Sequence, residues 1–331
     1  MRDIGDRSTG VTPGTFPPVD DNSLTGASYP GQCSAGVTTG DLQTRAFRGL
    51  DPAAFRERGY NVVRQLFDAD EVEQLRGIAR ETLAQAEAEG RIGESSWREG
   101  TIRHSVGDLL SMPSVRHVLL DPRVLGVIRT LLGDEPVYFG DSSLRIGKNG
   151  QRGWHRDNVN RMRWRGGPDW SDPYPLLRCG LYLQDQTHHS GGLAIRPGSH
   201  RLGRVRPTLP MLVDAHAGDL IVWSLRTVHS GEVIRLRTLP ELPLHPRLQT
   251  WLPQGLRSPE DAERIVMFMT FARPGAHLDY YLDYLKRRDY MQAAWANSHF
   301  GPDALEEAER AGLRVILPVP TYGVPEAAAA A

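Results

Sequence analysis

Between residues 136 and 272 the chain alternates short apolar runs with turns rich in glycine and proline. Short runs separated by such turns are typical of antiparallel strands that pair in a sandwich or barrel. The pattern therefore predicts a mainly β fold, with helices before and after it in the sequence. The predicted strands span residues 137–146, 177–183, 220–223 and 264–271.

Helical patterns precede this β region. A strand is predicted at 60–67, and the Asp68 that follows it has Glu71 three residues later, which is a capping-box pattern for a helix running to about Gly90. A second helix is expected to begin after Asp121 and to end near Gly133, because proline follows the aspartate and glycine favours a helix end.

The organisation of the whole chain follows from composition. Residues 1–45 are rich in Gly, Pro, Ser, Thr and Asp, which predicts an extended or flexible N-terminal arm. Residues 46–320 are expected to form a single domain, with further helices at 279–297 and 303–311. Residues 321–331 are a low-complexity tail.

Charge and cysteine content exclude several classes of protein. The formal net charge of −1 lacks the excess of one sign that nucleic-acid and membrane-surface binders carry. The two cysteines do not form a disulfide framework, and no run approaches the roughly 20 apolar residues that span a bilayer. We therefore expect a cytoplasmic protein with a small-molecule substrate, and no nucleic-acid or membrane partner.

The segment Trp154-His155-Arg156-Asp157 contains an H-x-D motif. Two residues separated by one point to the same side of a strand, so both side chains can face one ligand. The motif alone is weak, since a chain of this composition contains it about 0.8 times by chance. A second match, His277-Leu278-Asp279, is rejected because it follows the last predicted strand and no later histidine on a strand completes a site.

The first motif has such a partner in His229, which follows a turn and the apolar strand at 220–223. Two histidines and one carboxylate leave three coordination positions open, an arrangement suited to Fe(II) oxygenases. A chelating 2-oxo acid and O2 can occupy those positions. A zinc hydrolase, which uses a partly similar ligand set, is an alternative at this point.

Several blocks in a fixed order resemble the phytanoyl-CoA dioxygenase family. Together they are far more specific than any one of them, and the resemblance extends from about residue 50 to 272. The blocks are Phe55-Arg56-Glu57-Arg58-Gly59-Tyr60, Trp154-His155-Arg156-Asp157, Gly191-Gly192-Leu193-Ala194-Ile195-Arg196-Pro197-Gly198-Ser199-His200, and Gly218-Asp219-Leu220-Ile221-Val222-Trp223 leading to His229.

The resemblance implies a double-stranded β-helix (jelly-roll, cupin-like) core and an oxygenase that uses Fe(II), 2-oxoglutarate and O2 to oxidise a C–H bond. It implies that His155, Asp157 and His229 bind the iron. Because Asp157 is a carboxylate, hydroxylation, cyclisation or desaturation is expected rather than halogenation.

The residues that hold 2-oxoglutarate are less constrained. The family places an arginine about a dozen residues after the second metal-binding histidine, but this chain has an insertion at 232–263. We choose Arg264, because it opens a predicted strand and a rigid element can preorganise its guanidinium. Arg235 and Arg237 are rivals. Two other residues are predicted to bind the cosubstrate: Ser230 and Tyr182, the latter with core packing as an equal alternative.

Other polar residues near these motifs have competing interpretations. His200 is predicted to make structural hydrogen bonds rather than to bind metal. Asp141 and Asp108 are candidate substrate-facing carboxylates. Three arginines after the H-x-D motif either bind an anionic substrate such as a CoA phosphate or, as we favour, belong to a solvated loop: Arg161, Arg163 and Arg165.

The substrate class is open. We expect natural-product tailoring, as in antibiotic biosynthesis, on a sugar or aminoglycoside-type scaffold. The alternative within the family is an acyl-CoA hydroxylase. The alternative outside it is a non-redox cupin-like metal-binding protein, which would need no cationic anchor facing the metal.

Overall fold

The computed structural model describes residues 47–97, 100–105, 107–147, 153–161, 167–187, 189–201, 209–249, 251–259 and 263–318. The predicted N-terminal arm at 1–45 and the tail at 321–331 lie outside these residues. Within them, the strands are β1 (Tyr60–Val63), β2 (Ile92–Trp97), β3 (Gly100–Ser105), β4 (Val137–Gly147), β5 (Leu176–Tyr182), β6 (Gly192–Ile195), β7 (Met211–Leu212), β8 (Leu220–Ser224), β9 (His229–Val233), β10 (Ile265–Ala272) and β11 (Arg314–Val315).

Helices lie before and after the main group of strands, as predicted. None of those in the described ranges is both long and apolar enough to cross a membrane. They are α1 (Pro52–Arg58), α2 (Ala69–Ala88), α3 (Pro113–Leu119), α4 (Pro122–Leu132), α5 (Pro246–Gln249), α6 (Ala276–Leu285), α7 (Asp289–Ala296) and α8 (Pro302–Arg310).

The capping signals in the sequence act as predicted. At the start of α2 the Asp68 carboxylate accepts a hydrogen bond from the Glu71 amide, and the Glu71 carboxylate accepts one from the Asp68 amide. At the start of α4 the Asp121 side chain accepts from the backbone amide of Arg123. Both helices therefore begin where their unpaired backbone amides find a carboxylate.

The strand predicted at 60–67 is shorter than expected. It ends at Val63, because Gln65 adopts a left-handed conformation with φ of 50°. The Gln65 backbone amide donates to one oxygen of the Asp219 carboxylate at 2.8 Å, and the Arg64 guanidinium donates to the other oxygen at 2.7 Å. These contacts replace the ladder hydrogen bonds that would have continued the strand.

Two antiparallel sheets carry the fold. The larger has the order β1-β8-β5-β10-β4-β3-β2, with β11 pairing in parallel with β4, and the smaller has the order β7-β6-β9. They pack face to face, since buried side chains from both form one apolar cluster, among them Tyr182, Trp223 and Val266 from the larger sheet and Leu193 and Ile195 from the smaller. The expected mainly β, jelly-roll fold with flanking helices is confirmed.

Strand alternation divides the larger sheet into two faces. On β5, Leu177, Cys179 and Leu181 join the core that packs against the helices, whereas Tyr182 joins the cluster between the sheets. Successive side chains of a strand point to opposite faces. Arg178 therefore also points between the sheets, where the candidate site lies.

Asp108 does not face that site; it is fully buried and structural. Its carboxylate accepts hydrogen bonds from the Leu110 amide at 2.9 Å, from the Ser142 hydroxyl at 2.6 Å and from the Tyr138 hydroxyl. Burial raises the pKa of Asp108 to about 6, against the opposing effect of these donors. The sequence-based suggestion that Asp108 faces substrate receives no support from this position.

This carboxyl group predicts a pH dependence of stability. Because its pKa is higher in the folded than in the unfolded chain, its contribution to stability is complete below about pH 4 and is lost as the pH rises through about 6. Relative to Asp108→Asn, the free energy of unfolding of the wild type is expected to fall by roughly 2 kcal/mol between pH 4 and 7. Urea unfolding of both proteins at each pH measures this, and a constant difference would contradict it.

Candidate metal centre

Backbone pairing sets the positions of the three predicted metal ligands. His155 and His229 form a β-bridge, in which the amide of each donates to the carbonyl of the other at 3.0 Å. The amide of Asp157 donates to the Leu225 carbonyl at 3.0 Å, in the turn between β8 and β9. The H-x-D segment is thus attached by main-chain hydrogen bonds to the segment that carries His229.

This pairing brings the three side chains together. His155 Nε2 lies 3.8 Å from Asp157 Oδ1, and His229 Nε2 lies 3.6 Å from Asp157 Oδ2. One ligand atom from each residue lies within 4.8 Å of the others, and no other such group of histidine, cysteine or acidic side chains occurs among the described residues. A single ion with bonds of about 2 Å can bridge separations of this size after small side-chain adjustments.

The tautomers of both histidines suit metal binding. His155 Nδ1 lies 2.9 Å from the Gly153 carbonyl oxygen, and His229 Nδ1 lies 3.0 Å from the Thr227 carbonyl oxygen. A carbonyl oxygen only accepts, so in each ring Nδ1 carries the hydrogen and Nε2 presents a lone pair. Orientation of a metal-binding imidazole by a hydrogen bond at its other nitrogen is the usual arrangement in metal sites.

The second H-x-D motif is not part of this group. His277 lies in α6, with Nε2 3.3 Å from the Ser171 hydroxyl and its ring against Tyr174. His200 also lies elsewhere, since its Nε2 is 3.0 Å from the Arg56 carbonyl oxygen, a structural hydrogen bond as predicted. Neither histidine belongs to the candidate metal group.

One residue of the site was not found from the sequence. Arg178 donates from Nη1 to Asp157 Oδ2 at 3.1 Å and from Nη2 to Asp141 Oδ2 at 2.8 Å. Burial alone would lower the pKa of its guanidinium, but the two carboxylates outweigh burial and raise that pKa well above its usual value. The sequence feature that could have indicated this role is the presence of one charged residue, Arg178, inside the otherwise apolar run at 177–183.

Arg264 and Tyr182, both predicted to bind 2-oxoglutarate, lie together. Arg264 immediately precedes β10, is 6% exposed, and donates from Nε to the Gly191 carbonyl at 2.9 Å. Its guanidinium carbon lies 5.5 Å from the centre of the Tyr182 ring. Tyr182 is fully buried and packs in the cluster between the sheets.

Aromatic rings connect this arginine with the metal group. The Tyr182 ring lies 6.2 Å from Phe268, which lies 6.1 Å from Trp223, and the Trp223 ring lies 5.4 Å from His229. The buried Trp223 Nε1 makes no hydrogen bond within the described part of the chain. A buried donor of this kind costs free energy unless it meets an acceptor, so its position beside His229 suits a polar ligand.

The rival arginines and Ser230 occupy other environments. Arg235 is buried and donates to the Pro240 carbonyl at 3.1 Å and to the Val213 carbonyl at 3.5 Å, whereas Arg237 is exposed in the loop after β9. Ser230 follows His229 on the same strand and therefore faces the other side of the smaller sheet. Its predicted contact with the cosubstrate receives no support from that orientation.

The arginines after the H-x-D motif are described only in part. The Arg161 carbonyl accepts a hydrogen bond from Arg156 Nη1 at 3.0 Å, and Arg161 is exposed. Arg163 and Arg165 lie outside the described residues. Arg156 itself is buried and also donates to the carbonyls of Arg226 and Ser199, which holds the segment between the two ligands in place.

The fold and the site together define a jelly-roll protein with a His-Asp-His group that could hold a metal ion. Residues 55–235, more than half of the chain, match the phytanoyl-CoA dioxygenase family, and the chain belongs to that family. It is a family of non-haem iron oxygenases that depend on 2-oxoglutarate and O2. The family, fold and cofactor class expected from the sequence are therefore confirmed.

Individual proteins resemble parts of the chain. It is 34% identical over 159 residues to an ectoine dioxygenase from Sphingopyxis alaskensis, covering 45% of this chain and 48% of that protein. It is 29% identical over 179 residues to one from Stutzerimonas stutzeri, covering 50% and 54%. The chain thus spans about half the length of the curated relatives it matches.

The chain is also similar to a solved structure, the non-heme alpha ketoglutarate dependent epimerase SnoN from nogalamycin biosynthesis. It is 20% identical to this chain, with a TM-score of 0.49. The similar region covers 67% of this chain and 79% of that one.

Proposed function

We propose that this protein is an Fe(II)- and 2-oxoglutarate-dependent oxygenase that oxidises a C–H bond of a small polar molecule. The observation that carries the proposal is the His155, Asp157 and His229 group, in which each imidazole is oriented by a hydrogen bond at Nδ1. The ligand set suits Fe(II), because two neutral imidazoles and one carboxylate leave open positions for a chelating cosubstrate.

The residues of the chain have separate roles in this reaction. His155, Asp157 and His229 hold the metal, and the Arg264 guanidinium pairs with the distal carboxylate of 2-oxoglutarate. Trp223 Nε1 offers a donor beside His229. The apolar cluster between the sheets excludes water from this region. When bound, iron with 2-oxoglutarate and O2 supplies the oxidising power that removes hydrogen from the C–H bond.

Asp141 supports a substrate with a hydroxyl or amine group. Arg178 and the Tyr281 hydroxyl both donate to Asp141 Oδ2, whereas no hydrogen bond from the described residues reaches Oδ1. The Asp141 side chain is 12% exposed, and the Arg178 guanidinium bridges it to the predicted metal ligand Asp157. A carboxylate oxygen there accepts from a donor on the substrate, as the sequence-based hypothesis for Asp141 expected.

This chemistry favours a sugar or aminoglycoside-type scaffold, in natural-product tailoring, over the chain of a fatty acyl-CoA. A hydrocarbon chain offers Asp141 no donor, so a buried acceptor oxygen would lose water without gaining a partner.

Arg264 at the far side of the aromatic cluster counts against a non-redox cupin-like protein, which needs no cationic anchor. The cytoplasm remains the proposed compartment, because the two cysteines form no disulfide framework.

The test is succinate formation from 2-oxoglutarate by the purified protein, with Fe(II) and with or without O2. Ectoine, an aminoglycoside and a fatty acyl-CoA are added in separate arms. We expect succinate to form only when both Fe(II) and O2 are present. Ectoine or the aminoglycoside should increase the rate of succinate formation, and this increase should be smaller in Asp141→Asn. No O2-dependent succinate in any arm would refute oxygenase activity, and stimulation by the acyl-CoA alone would refute the polar substrate.

A further inference from the structure

Arg178 uses all three of its nitrogen atoms on defined acceptors between the two sheets. Nη1 donates to Asp157 Oδ2 at 3.1 Å, Nη2 to Asp141 Oδ2 at 2.8 Å and Nε to the Thr270 hydroxyl at 2.9 Å. Its side chain is 20% exposed, and those of Asp141 and Asp157 are 12% and 14% exposed. A guanidinium whose three nitrogen atoms each donate to a different acceptor has little rotational freedom.

Three neighbouring strands fix the acceptors as well as the donor. Arg178 on β5 lies directly opposite Thr270 on β10 in the antiparallel register, and β10 pairs in turn with β4, which carries Asp141. The Tyr281 hydroxyl of α6 donates to Asp141 Oδ2 at 3.2 Å and restrains that carboxylate from the other side. The direction in which Arg178 presents Nη1 to Asp157 is therefore set by the larger sheet.

The number of oxygens that Asp157 gives to a metal decides how many positions stay open. A carboxylate binds a cation through one oxygen or through two. With two histidines and one carboxylate oxygen, an octahedral ion keeps three positions, which a chelating 2-oxo acid and O2 fill. With both oxygens bound, one of these positions is lost.

We propose that Arg178 is a positioning residue that holds Asp157 in one-oxygen ligation. By donating to Oδ2, Arg178 competes with the metal for that oxygen and favours ligation through Oδ1. The inference rests on the proposed function and adds to it a residue that controls the room left for the cosubstrate. A charge-assisted hydrogen bond to a guanidinium that stays protonated suits this role at any physiological pH.

The proposal is tested with Arg178→Lys. Lysine keeps the positive charge near the site but cannot span Asp157, Asp141 and Thr270 in one plane. We expect the 2-oxoglutarate affinity of the Fe(II)-loaded protein, measured anaerobically from the visible charge-transfer band, to fall by roughly 10- to 100-fold. Metal affinity should fall as well, since Asp157 loses an outer hydrogen-bond partner, and the band should shift because the coordination of the iron changes.

Arg178→Gln and Arg116→Lys complete the experiment. Arg178→Gln removes both the positive charge and the planar guanidinium, so this variant should lose at least as much 2-oxoglutarate affinity as Arg178→Lys. Arg116 is a buried arginine paired with Asp303 and Glu307 outside the site, so Arg116→Lys is the matched control for general destabilisation and should leave the band unchanged.

Each other result has a defined meaning. An unchanged band and 2-oxoglutarate affinity in Arg178→Lys would refute the proposal even if Arg178→Gln is impaired, because charge alone would then explain the effect. An equal loss in Arg116→Lys would refute it as well. If Arg178→Gln does not fold, the lysine variant decides. A wild-type protein without any band refutes the proposed function itself, which is a separate result.

Discussion

Replacing His155 with alanine is expected to abolish the visible charge-transfer band that forms when Fe(II) and 2-oxoglutarate are added anaerobically to the metal-free wild type. The substitution removes one of three ligands, and its Nε2 lies only 3.8 Å from Asp157 Oδ1. Loss of an outer hydrogen-bond partner already costs roughly 10- to 100-fold in metal affinity, and loss of a ligand should cost more. Absorbance titration with each component measures the effect.

The matched control is His277→Ala, which alters the other H-x-D motif in the sequence. His277 lies in α6 and contacts Ser171 and Tyr174, so its loss should leave the band intact. The backbone bridge of residue 155 with His229 does not depend on the side chain, so His155→Ala should also unfold at nearly the same urea concentration as the metal-free wild type. A full band in His155→Ala, or loss of the band in His277→Ala, would exclude the assigned ligand set.

The second large effect is expected for Arg264→Ala, which should weaken 2-oxoglutarate binding to the Fe(II)-loaded protein by roughly 10- to 150-fold. Hydrogen bonds to charged groups contribute about 1.5–3 kcal/mol, and each 1.36 kcal/mol is tenfold in affinity. Metal affinity should change little, because Arg264 is separated from His229 by the rings of Tyr182, Phe268 and Trp223. Titration of the charge-transfer band with 2-oxoglutarate gives the affinity.

Arg235→Ala is the comparison, since Arg235 is equally buried but donates to the carbonyls of Pro240 and Val213. It should lower stability and leave 2-oxoglutarate affinity near that of the wild type. Arg264→Lys should retain part of the 2-oxoglutarate affinity, because lysine keeps the positive charge. It should not retain all of it, because lysine lacks the two-pronged contact of the guanidinium with a carboxylate. If Arg235→Ala alone loses affinity, the anchor has been misassigned and the insertion supplies it.

The part of the fold that the sequence predicts well is the group of four adjacent strands β8, β5, β10 and β4 in the larger sheet. The strands expected at 137–146, 177–183, 220–223 and 264–271 agree with β4, β5, β8 and β10 to within about one residue at each end, a difference normal for strand limits. Of these strands, β8 and β10 are buried along almost their whole length and therefore read as nearly continuous apolar runs. The smaller sheet was not predicted strand by strand, because its members are short and contain glycine or polar residues.

The grouping of His155, Asp157 and His229 was predictable because these residues are tied to a motif and to strand order. Their orientation was not, since it depends on the Gly153 and Thr227 carbonyls, and every residue has a carbonyl. Arg178 was missed for a related reason. Its importance comes from Asp141, Asp157 and Thr270, which lie far from it in sequence and meet it only when the sheets form.

Ser230 shows how one step along a strand changes the surroundings of a side chain. It is adjacent to the ligand His229, yet one step along a strand turns the side chain to the other face. Arg264 is more distant in the chain, but its place at the start of β10 brings it to Tyr182. Position within a strand therefore decides which neighbours each of these two predicted cosubstrate-binding residues has.

The bridge between His155 and His229 has a consequence for how such a site can change over time. The two segments are joined by a reciprocal pair of amide-to-carbonyl hydrogen bonds, and these are independent of the side chains they carry. A ligand can therefore be exchanged by mutation while the frame that displays it persists. The same frame could serve in turn for iron, for another metal or for none, so the chemistry is open to selection separately from the architecture.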